Sequence, residues 1–243
     1  MLTFRLMSLS YNIFSIGDHA LTIELGNSID ETINHHCLSL AVHLKKADIP
    51  GVKDIIPAYC TVSVIYDPLI VFKTPGIISP FQYITSLIEK VIDTYEPSLH
   101  HSQRKMSIPV CFDNSFACDI ERMVEAKKLS AAEIISLFIN RTYRVYLTGF
   151  LPGFSYMGKV DDVLATARKE KPHLKINAGS VGIAGSQAGI YPLQSPGGWN
   201  IIGRTPLRLF DKHTDDPCLL QAGDEVTFYE ISLKEFNELN QNN

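Results

Sequence analysis

Residues 149–206 read GFLPGFSYMGKVDDVLATARKEKPHLKINAGSVGIAGSQAGIYPLQSPGGWNIIGRTP, and most of the chain's glycines are concentrated here. It contains ten of the chain's fifteen glycines and its only tryptophan, Trp199. Glycine is needed where the backbone takes a positive φ or comes close to another group. The density therefore indicates a tightly routed β structure, or a surface where a ligand meets bare backbone. We predict strands at 180–184, 188–191 and 199–203. The structural turns are assigned to its glycines and prolines, namely Gly149, Pro152, Gly153, Gly179, Gly182, Pro196, Gly197, Gly198 and Gly203.

The segments around this stretch add strands and a few helices. Further strands are predicted at 105–112, 143–147, 207–210 and 225–231. One helix is predicted at 119–128, and another begins at Ser130, where Glu133 completes a capping box. Many short strands with glycine-rich turns and few helices favour a closed or nearly closed β-barrel, so we predict an all-β barrel domain. Periodicity alone does not distinguish the barrel from a sandwich.

The first part of the chain has a different pattern. Strands are predicted at 11–16, 20–25, 52–58 and 60–67, with one helix from Ser28, which forms a capping box with Glu31, and a second from Ser79 and Pro80. The order β-β-α-β-β-α predicts an α+β two-layer sandwich, an antiparallel sheet under two helices. Residues 95–104 lack periodicity and are interpreted as a linker. The predicted domains are therefore 1–97 and 98–243.

Composition excludes several classes of partner. The chain has 243 residues, 45% of them hydrophobic, and a net charge of −4, so no broad basic surface is expected for nucleic acid. No apolar run approaches the roughly 20 residues of a membrane span, and no membrane partner is expected. Its five cysteines are scattered, with no CxxC. A disulfide framework is therefore not expected, and the predicted location is the reducing cytoplasm.

No self-sufficient active site is evident, and we assign no catalytic residue. The chain has no G-x-S-x-G elbow, no HExxH and no Walker A sequence. Residues 182–189, GIAGSQAG, are rich in glycine, but a strand rather than a helix is predicted to follow, which favours barrel turns over a phosphate cradle. His36 and His43 are seven positions apart on a helix, about 10.5 Å along its axis, and cannot share one ion. We expect no metal.

A substrate or partner groove is predicted within residues 149–206. Aromatic side chains there lie among glycines and prolines, and polar side chains follow at strand ends, a combination typical of ligand or peptide sites. The candidate groove residues are Phe150, Phe154, Tyr156, Gln187, Tyr191, Trp199, Arg204 and Thr205. The alternatives are that the aromatic rings fill the barrel interior and that Arg204 forms a salt bridge with an acid such as Asp211. The charged run 168–171, RKEK, is interpreted as a solvated face.

These residues also carry a family resemblance. The segments at 149–158 (GFLPGFSYMG), 178–206 (AGSVGIAGSQAGIYPLQSPGGWNIIGRTP) and 222–228 (AGDEVTF) resemble the family of the 5-oxoprolinase B subunit. That family is also called allophanate hydrolase subunit 1, and it includes the sporulation-kinase inhibitor KipI. The resemblance covers nearly the whole chain and is looser in the first half, at 17–26 and 49–68. One departure is that family members usually have Pro-Arg where this chain has Pro172-His173.

The resemblance implies a fold and a function. The second domain would be a cyclophilin-like barrel. The chain would be one component of a multi-protein complex that uses ATP to hydrolyse 5-oxoproline to glutamate, inactive without its partner subunits, with ATP bound in the assembled complex. Two alternatives stay open. One is KipI-like inhibition of a sensor histidine kinase as partner, and the other is allophanate hydrolase subunit 1 in urea degradation.

Overall fold

The computed structural model describes residues 10–96 and 104–241 of the chain. The chain divides into two compact units, Met1–His101 and Ser102–Asn243. Most of the predicted linker, and with it the predicted boundary between 97 and 98, lies outside the described residues. No helix in the described ranges has the length and apolar character needed to cross a membrane.

The first unit is a four-stranded antiparallel sheet covered by helices, with the strand order β1-β2-β4-β3. Its elements are β1 (Asn12–Ile16), β2 (Ala20–Glu24), α1 (Glu31–Lys46), β3 (Val52–Pro57), β4 (Thr61–Tyr66), α2 (Pro68–Phe72) and α3 (Pro80–Ile92). The two-layer prediction holds for these residues, with α2 as an additional short helix.

Local capping decides where these helices begin. The side chain of Ser79 caps α3 with Pro80 at the first helical position, which confirms that prediction. The predicted start of α1 at Ser28 is wrong, because Asp30 is the N-cap and accepts hydrogen bonds from two backbone amides of the first turn. Asp67, the residue after β4, similarly caps α2, so the chain passes directly from a strand into a helix.

The core of the first unit lies between the sheet and the helices. Cys37, Leu40 and Leu44 are buried at spacings of three and four along α1, as an amphipathic helix on a sheet requires. Ile84 and Ile88 provide the corresponding face of α3. All five belong to one apolar cluster with the inward side chains of β2 and β4.

The second unit contains a seven-stranded sheet in the order β12-β9-β10-β7-β6-β13-β5 and a two-stranded sheet β11-β8. Its elements are β5 (Lys105–Val110), α4 (Ile120–Lys127), α5 (Ala131–Ile139), β6 (Thr142–Thr148), β7 (Ser155–Gly158), β8 (His173–Ile176), β9 (Ser180–Ala184), β10 (Gln187–Ile190), β11 (Ser195–Gly197), β12 (Asn200–Arg204), β13 (Glu225–Glu230) and α6 (Leu233–Gln241). The predicted strand at 207–210 is not formed; these residues run as irregular backbone with a bridge at Phe210.

The large sheet curls until its two edges meet. Edge strands β12 and β5 are joined by reciprocal backbone hydrogen bonds between Arg204 and Cys111, the residue after β5, with N–O distances of 2.8 and 2.9 Å. The prediction of an all-β unit is wrong, because helices also belong to this unit. The capping box of Ser130 and Glu133 starts α5, and buried Phe138 of that helix packs onto the sheet core. The cyclophilin-like assignment stays a prediction.

Both faces of the strands β9, β10 and β12 are buried, and this explains the glycines. Side chains such as Val181 and Ile202 face the main core, while an aromatic cluster covers the opposite face. Gly182 and Gly189 are paired between neighbouring strands on that second face. A Cβ atom on Gly189 would lie 2.9 Å from ring atoms of both Phe154 and Trp199, so only glycine leaves room for the rings.

Three of the predicted turn glycines lie in strands instead. Gly182 is in β9, Gly197 in β11 and Gly203 in β12. Close packing is the physical reason, since a Cβ on Gly203 would lie 2.7 Å from a methyl carbon of Val110. Gly179 does have the positive φ of a turn, +83°.

Candidate functional site

The structure brings four of the predicted groove residues together around one pocket, which we call the aromatic pocket. Phe150, Tyr156, Tyr191 and Trp199 all line it, and its volume is about 250 Å³. The other lining residues are Arg168, Pro172, Pro196, Gly197 and Gly198. The pocket is thus built from the glycine- and proline-rich segments that the sequence singled out.

Phe154 is the centre of the aromatic cluster beneath this pocket. Its ring centroid lies 4.7 Å from that of Tyr156, 5.3 Å from that of Tyr191 and 5.4 Å from that of Trp199. The contacts with Tyr191 and Trp199 are edge-to-face, the arrangement favoured by the ring quadrupoles. Trp199 is 4% exposed and Tyr191 1% exposed, so both rings are core residues with an edge at the pocket wall.

Tyr191 is held as a neutral hydrogen-bonding group in this wall. Burial raises the pKa of its phenol to about 12. The hydrogen bond with the backbone of Trp199 lowers this pKa, but by less than burial raises it. The hydroxyl approaches the backbone of β11 so closely that a Cβ on Gly197 would lie 2.2 Å from the phenolic oxygen. The tight contact fixes β11 against the cluster.

The rim of the aromatic pocket carries one exposed ring and one cation. Phe150 is 63% exposed and adopts the left-handed conformation with φ of +70°. The guanidinium carbon of Arg168 lies 5.9 Å from the Trp199 ring centroid, within cation–π range. Arg168 therefore lines the pocket and is itself exposed, as the solvated-face interpretation of its charged run predicts.

Arg204 lies in a different pocket, which we call the Arg204 pocket. This cavity of about 150 Å³ is lined by Ser115, Phe116, Cys118, His173, Lys175, Ile176, Asn177, Ser180, Ile201 and Arg204. The guanidinium carbon is 5.5 Å from the ring centroid of Phe116 and 5.6 Å from that of Phe236. Its Nε donates a hydrogen bond of 2.8 Å to the carbonyl of Ala178, and burial lowers the pKa of the group.

The alternative salt bridge between Arg204 and Asp211 is not formed. Asp211 instead pairs with Arg208 at 3.1 Å. The two remaining groove candidates do not line the aromatic pocket. Gln187 is the first residue of β10, opposite Gly158. Thr205 is buried, and its hydroxyl accepts a hydrogen bond from the amide of Leu207 at 3.2 Å.

A group that sequence reasoning missed borders the Arg204 pocket. We call Cys118, Asp119, Lys169 and His173 the charged cluster. Nε2 of His173 lies 2.8 Å from Oδ2 of Asp119 and 2.9 Å from Nζ of Lys169, and Lys169 also hydrogen-bonds Oδ1 of Asp119. The backbone amide of Ile201 donates to Oδ2 of Asp119 at 2.9 Å.

Electrostatics keep the Asp119 carboxylate ionised. Burial alone would raise its pKa, but hydrogen bonds from Lys169, the Ile201 amide and His173 outweigh that effect, and the pKa lies below its usual range. For Cys118, burial and the Asp119 charge raise the pKa of the thiol, against a smaller lowering by Lys169. The thiol is therefore kept protonated rather than activated.

The charged cluster is not a nucleophile–histidine–acid triad. A triad needs the acid on one ring nitrogen of the histidine and the nucleophile on the other. Here Sγ of Cys118, at 3.8 Å, and the Asp119 carboxylate both approach Nε2 of His173. The arrangement is suited to binding a cation or an anion, not to forming an acyl intermediate.

Long sequence separation hid this cluster. Asp119 and His173 are 54 residues apart, and neither lies in a motif of fixed spacing. The one available signal was Pro172-His173, where the resembling family usually has Pro-Arg. His173, the residue at this departure, is the side chain that contacts Asp119.

Known proteins are similar to this chain across both units. Residues 11–220 match the family described as carboxyltransferase domain, subdomain C and D. The chain is 38% identical over 233 residues to the 5-oxoprolinase B subunit of Bacillus subtilis (strain 168), covering 95% of this chain and 97% of that protein. For the 5-oxoprolinase B subunit of Escherichia coli O157:H7 the identity is 34% over 217 residues, covering 88% and 94%. The crystal structure of TTHA0988 in space group P212121 superposes with a TM-score of 0.75 and 32% identity, covering 88% of this chain and 40% of that one.

Proposed function

The chain belongs to the carboxyltransferase domain family, subdomain C and D, and we propose that it acts as the B subunit of an ATP-dependent 5-oxoprolinase. The observation that carries this is its likeness to the 5-oxoprolinase B subunit along almost the whole length of two such proteins, 97% and 94% of them. The reaction would open the lactam of 5-oxoproline to glutamate, with ATP activating the amide carbonyl for attack by water.

The side chains of this chain are consistent with a complex in which other subunits carry out the chemical step. Sγ of Cys118 lies 3.8 Å from Nε2 of His173, and partial burial together with the Asp119 charge raises the pKa of this thiol and keeps it protonated. The glycine-rich segment 182–189, for which barrel turns were favoured over a phosphate cradle, spans the end of β9 and most of β10, without a helix N-terminus. We therefore assign ATP binding and the chemical step to surfaces completed by partner subunits.

The aromatic pocket is the proposed contact surface for a partner subunit. An exposed phenylalanine beside a guanidinium is typical of interface centres, where aromatic side chains and arginine are enriched. Leu174 and Leu193 are exposed apolar side chains that follow Pro172 and Tyr191 of the pocket wall by two positions in the chain. The longer chain of TTHA0988, of which this chain matches 40%, also supports a role beside additional protein segments.

Copurification tests this surface. Phe150→Ala should weaken assembly with the partner subunits at least tenfold, about 1.4 kcal/mol, because a central interface ring is lost. Tyr229→Ala is the matched control, since Tyr229 is an exposed aromatic of the same unit on β13 and lies outside the pocket. Unchanged assembly of the Phe150 variant, or equal loss in both variants, would reject the pocket as the contact surface.

A further inference from the structure

The charged cluster already binds a cation, the ammonium group of its own Lys169. Nζ of Lys169 contacts both a carboxylate oxygen of Asp119 and Nε2 of His173. Sγ of Cys118 lies 3.8 Å from the same imidazole nitrogen. Sulfur, imidazole nitrogen and carboxylate oxygen are the three kinds of ligand atom that zinc uses in proteins.

We propose that Cys118, Asp119 and His173 form a site for a divalent transition-metal ion, Zn²⁺ above all. Their ligand atoms all lie within 4.8 Å of one another. Neither the relatives' names nor the proposed 5-oxoprolinase role implies such a site, and the sequence alone predicts no metal.

The distances fit tetrahedral coordination. With zinc–sulfur bonds of about 2.3 Å and zinc–nitrogen or zinc–oxygen bonds of about 2.1 Å, neighbouring ligand atoms lie roughly 3.4–3.6 Å apart. Sγ of Cys118 is 3.8 Å from both Oδ2 of Asp119 and Nε2 of His173. Oδ2 and Nε2 are 2.8 Å apart, so a small separation of these two atoms admits the ion.

The protein scaffold holds two of the ligands in place. Asp119 is buried, and the Ile201 amide donates to its carboxylate while its own amide donates to the Ile201 carbonyl at 3.0 Å. His173 begins β8, which pairs with β11. Cys118 directly precedes Asp119 and is exposed, so a metal ion can reach its sulfur without unfolding, and the thiol proton is released to solvent when the metal binds.

Lys169 is the competitor of the metal. Its side chain is 19% exposed, so a divalent ion that binds beside Asp119 has to displace a mostly buried ammonium toward solvent. When the metal ion replaces the ammonium, a positive charge still lies beside the buried Asp119 carboxylate. An empty site would leave that negative charge uncompensated. Lys169 thus sets the metal affinity without being a ligand.

The proposed metal site borders a cavity of about 150 Å³. Cys118 and His173 both line the Arg204 pocket, so a metal bound by them would border this cavity. Zinc sites with three protein ligands and one open position bind water or an anionic ligand there.

Metal titration of the full chain tests the site. After treatment with a chelator, the chain is titrated with Zn²⁺ against a chromophoric chelator and with Co²⁺, whose thiolate complex gives a charge-transfer band. We expect one equivalent bound, at least tenfold weaker binding in Cys118→Ser and His173→Gln, and at least tenfold tighter binding in Lys169→Met. Cys218→Ser is the matched control, because Cys218 is a free cysteine of the same unit outside the cluster.

The expected gain in metal affinity of the Lys169→Met variant distinguishes a metal site from a purely structural ion pair. A structural pair would lose stability in this variant without gaining metal affinity, and thermal melts with and without Zn²⁺ record both effects. The proposal is overturned if neither the unchanged chain nor Lys169→Met shows a Co²⁺ band that depends on Cys118. It is also overturned if Lys169→Met binds Zn²⁺ no more tightly than the unchanged chain.

Discussion

Trp199→Ala is expected to lower the free energy of unfolding of the second unit by about 3–5 kcal/mol. The indole is 4% exposed and packs edge-to-face on Phe154, over the space left by Gly189. Its removal leaves a cavity between rings that the sheet backbone keeps apart, so the neighbours cannot close the gap. Thermal and denaturant unfolding of the full chain measure the loss.

Phe150→Ala is the control for that result. Phe150 lines the same aromatic pocket but is 63% exposed, so we expect its removal to cost less than about 1 kcal/mol. If both variants melt like the unchanged chain, Trp199 is not a core residue and the explanation of the glycines in β9 and β10 is wrong.

Asp119→Asn is the second large effect, an expected loss of about 3 kcal/mol in chelator-treated protein. The amide keeps the size of the side chain and an oxygen for the Ile201 amide, but it removes the charge that compensates the Lys169 ammonium. A buried pair that loses one partner leaves the other charge uncompensated. Asp113→Asn is the control, because Asp113 is an exposed acid whose carboxylate contacts Ser115.

The pH dependence of that loss follows from the lowered pKa of Asp119. A carboxylate with a depressed folded-state pKa stabilises the fold fully above its unfolded-state pKa of about 3.9, and the contribution disappears as the pH falls through the folded-state value. The deficit of Asp119→Asn should therefore be largest near neutral pH and shrink in acid. A deficit that stays constant between neutral and strongly acidic solution would contradict the ionised pair.

Local signals in the sequence predicted much of the fold. Ser79 before Pro80, and Ser130 with Glu133, mark helix starts that the structure has, because caps act within one turn of chain. Alternation in 61–66 and the apolar run 180–184 similarly gave β4 and β9. Asp30 was missed as a cap because Ser28 and Glu31 offered a competing capping box nearby.

The candidate site was predicted less completely, because contacts across the fold decide it. The aromatic residues near the glycines do meet in one pocket, but Trp199 and Tyr191 are buried, since glycines on the facing strands make room for their rings. Arg204 lies in the Arg204 pocket and not in the aromatic pocket, because β12 ends beside Phe116 and Phe236. The pairing of Asp119 with Lys169, 50 residues away, has no local signature at all.

ATP hydrolysis that depends on 5-oxoproline is the most direct test of the proposed function. Three samples are assayed: the partner subunits with this chain, the partner subunits without it, and this chain alone. Each sample receives either 5-oxoproline or allophanate, and ATP hydrolysis and glutamate formation are measured in parallel. We predict coupled ATP hydrolysis and glutamate formation only when 5-oxoproline, the partners and this chain are all present. Equal activity without this chain, 5-oxoproline hydrolysis by the chain alone, or a response to allophanate in place of 5-oxoproline would contradict the proposed function.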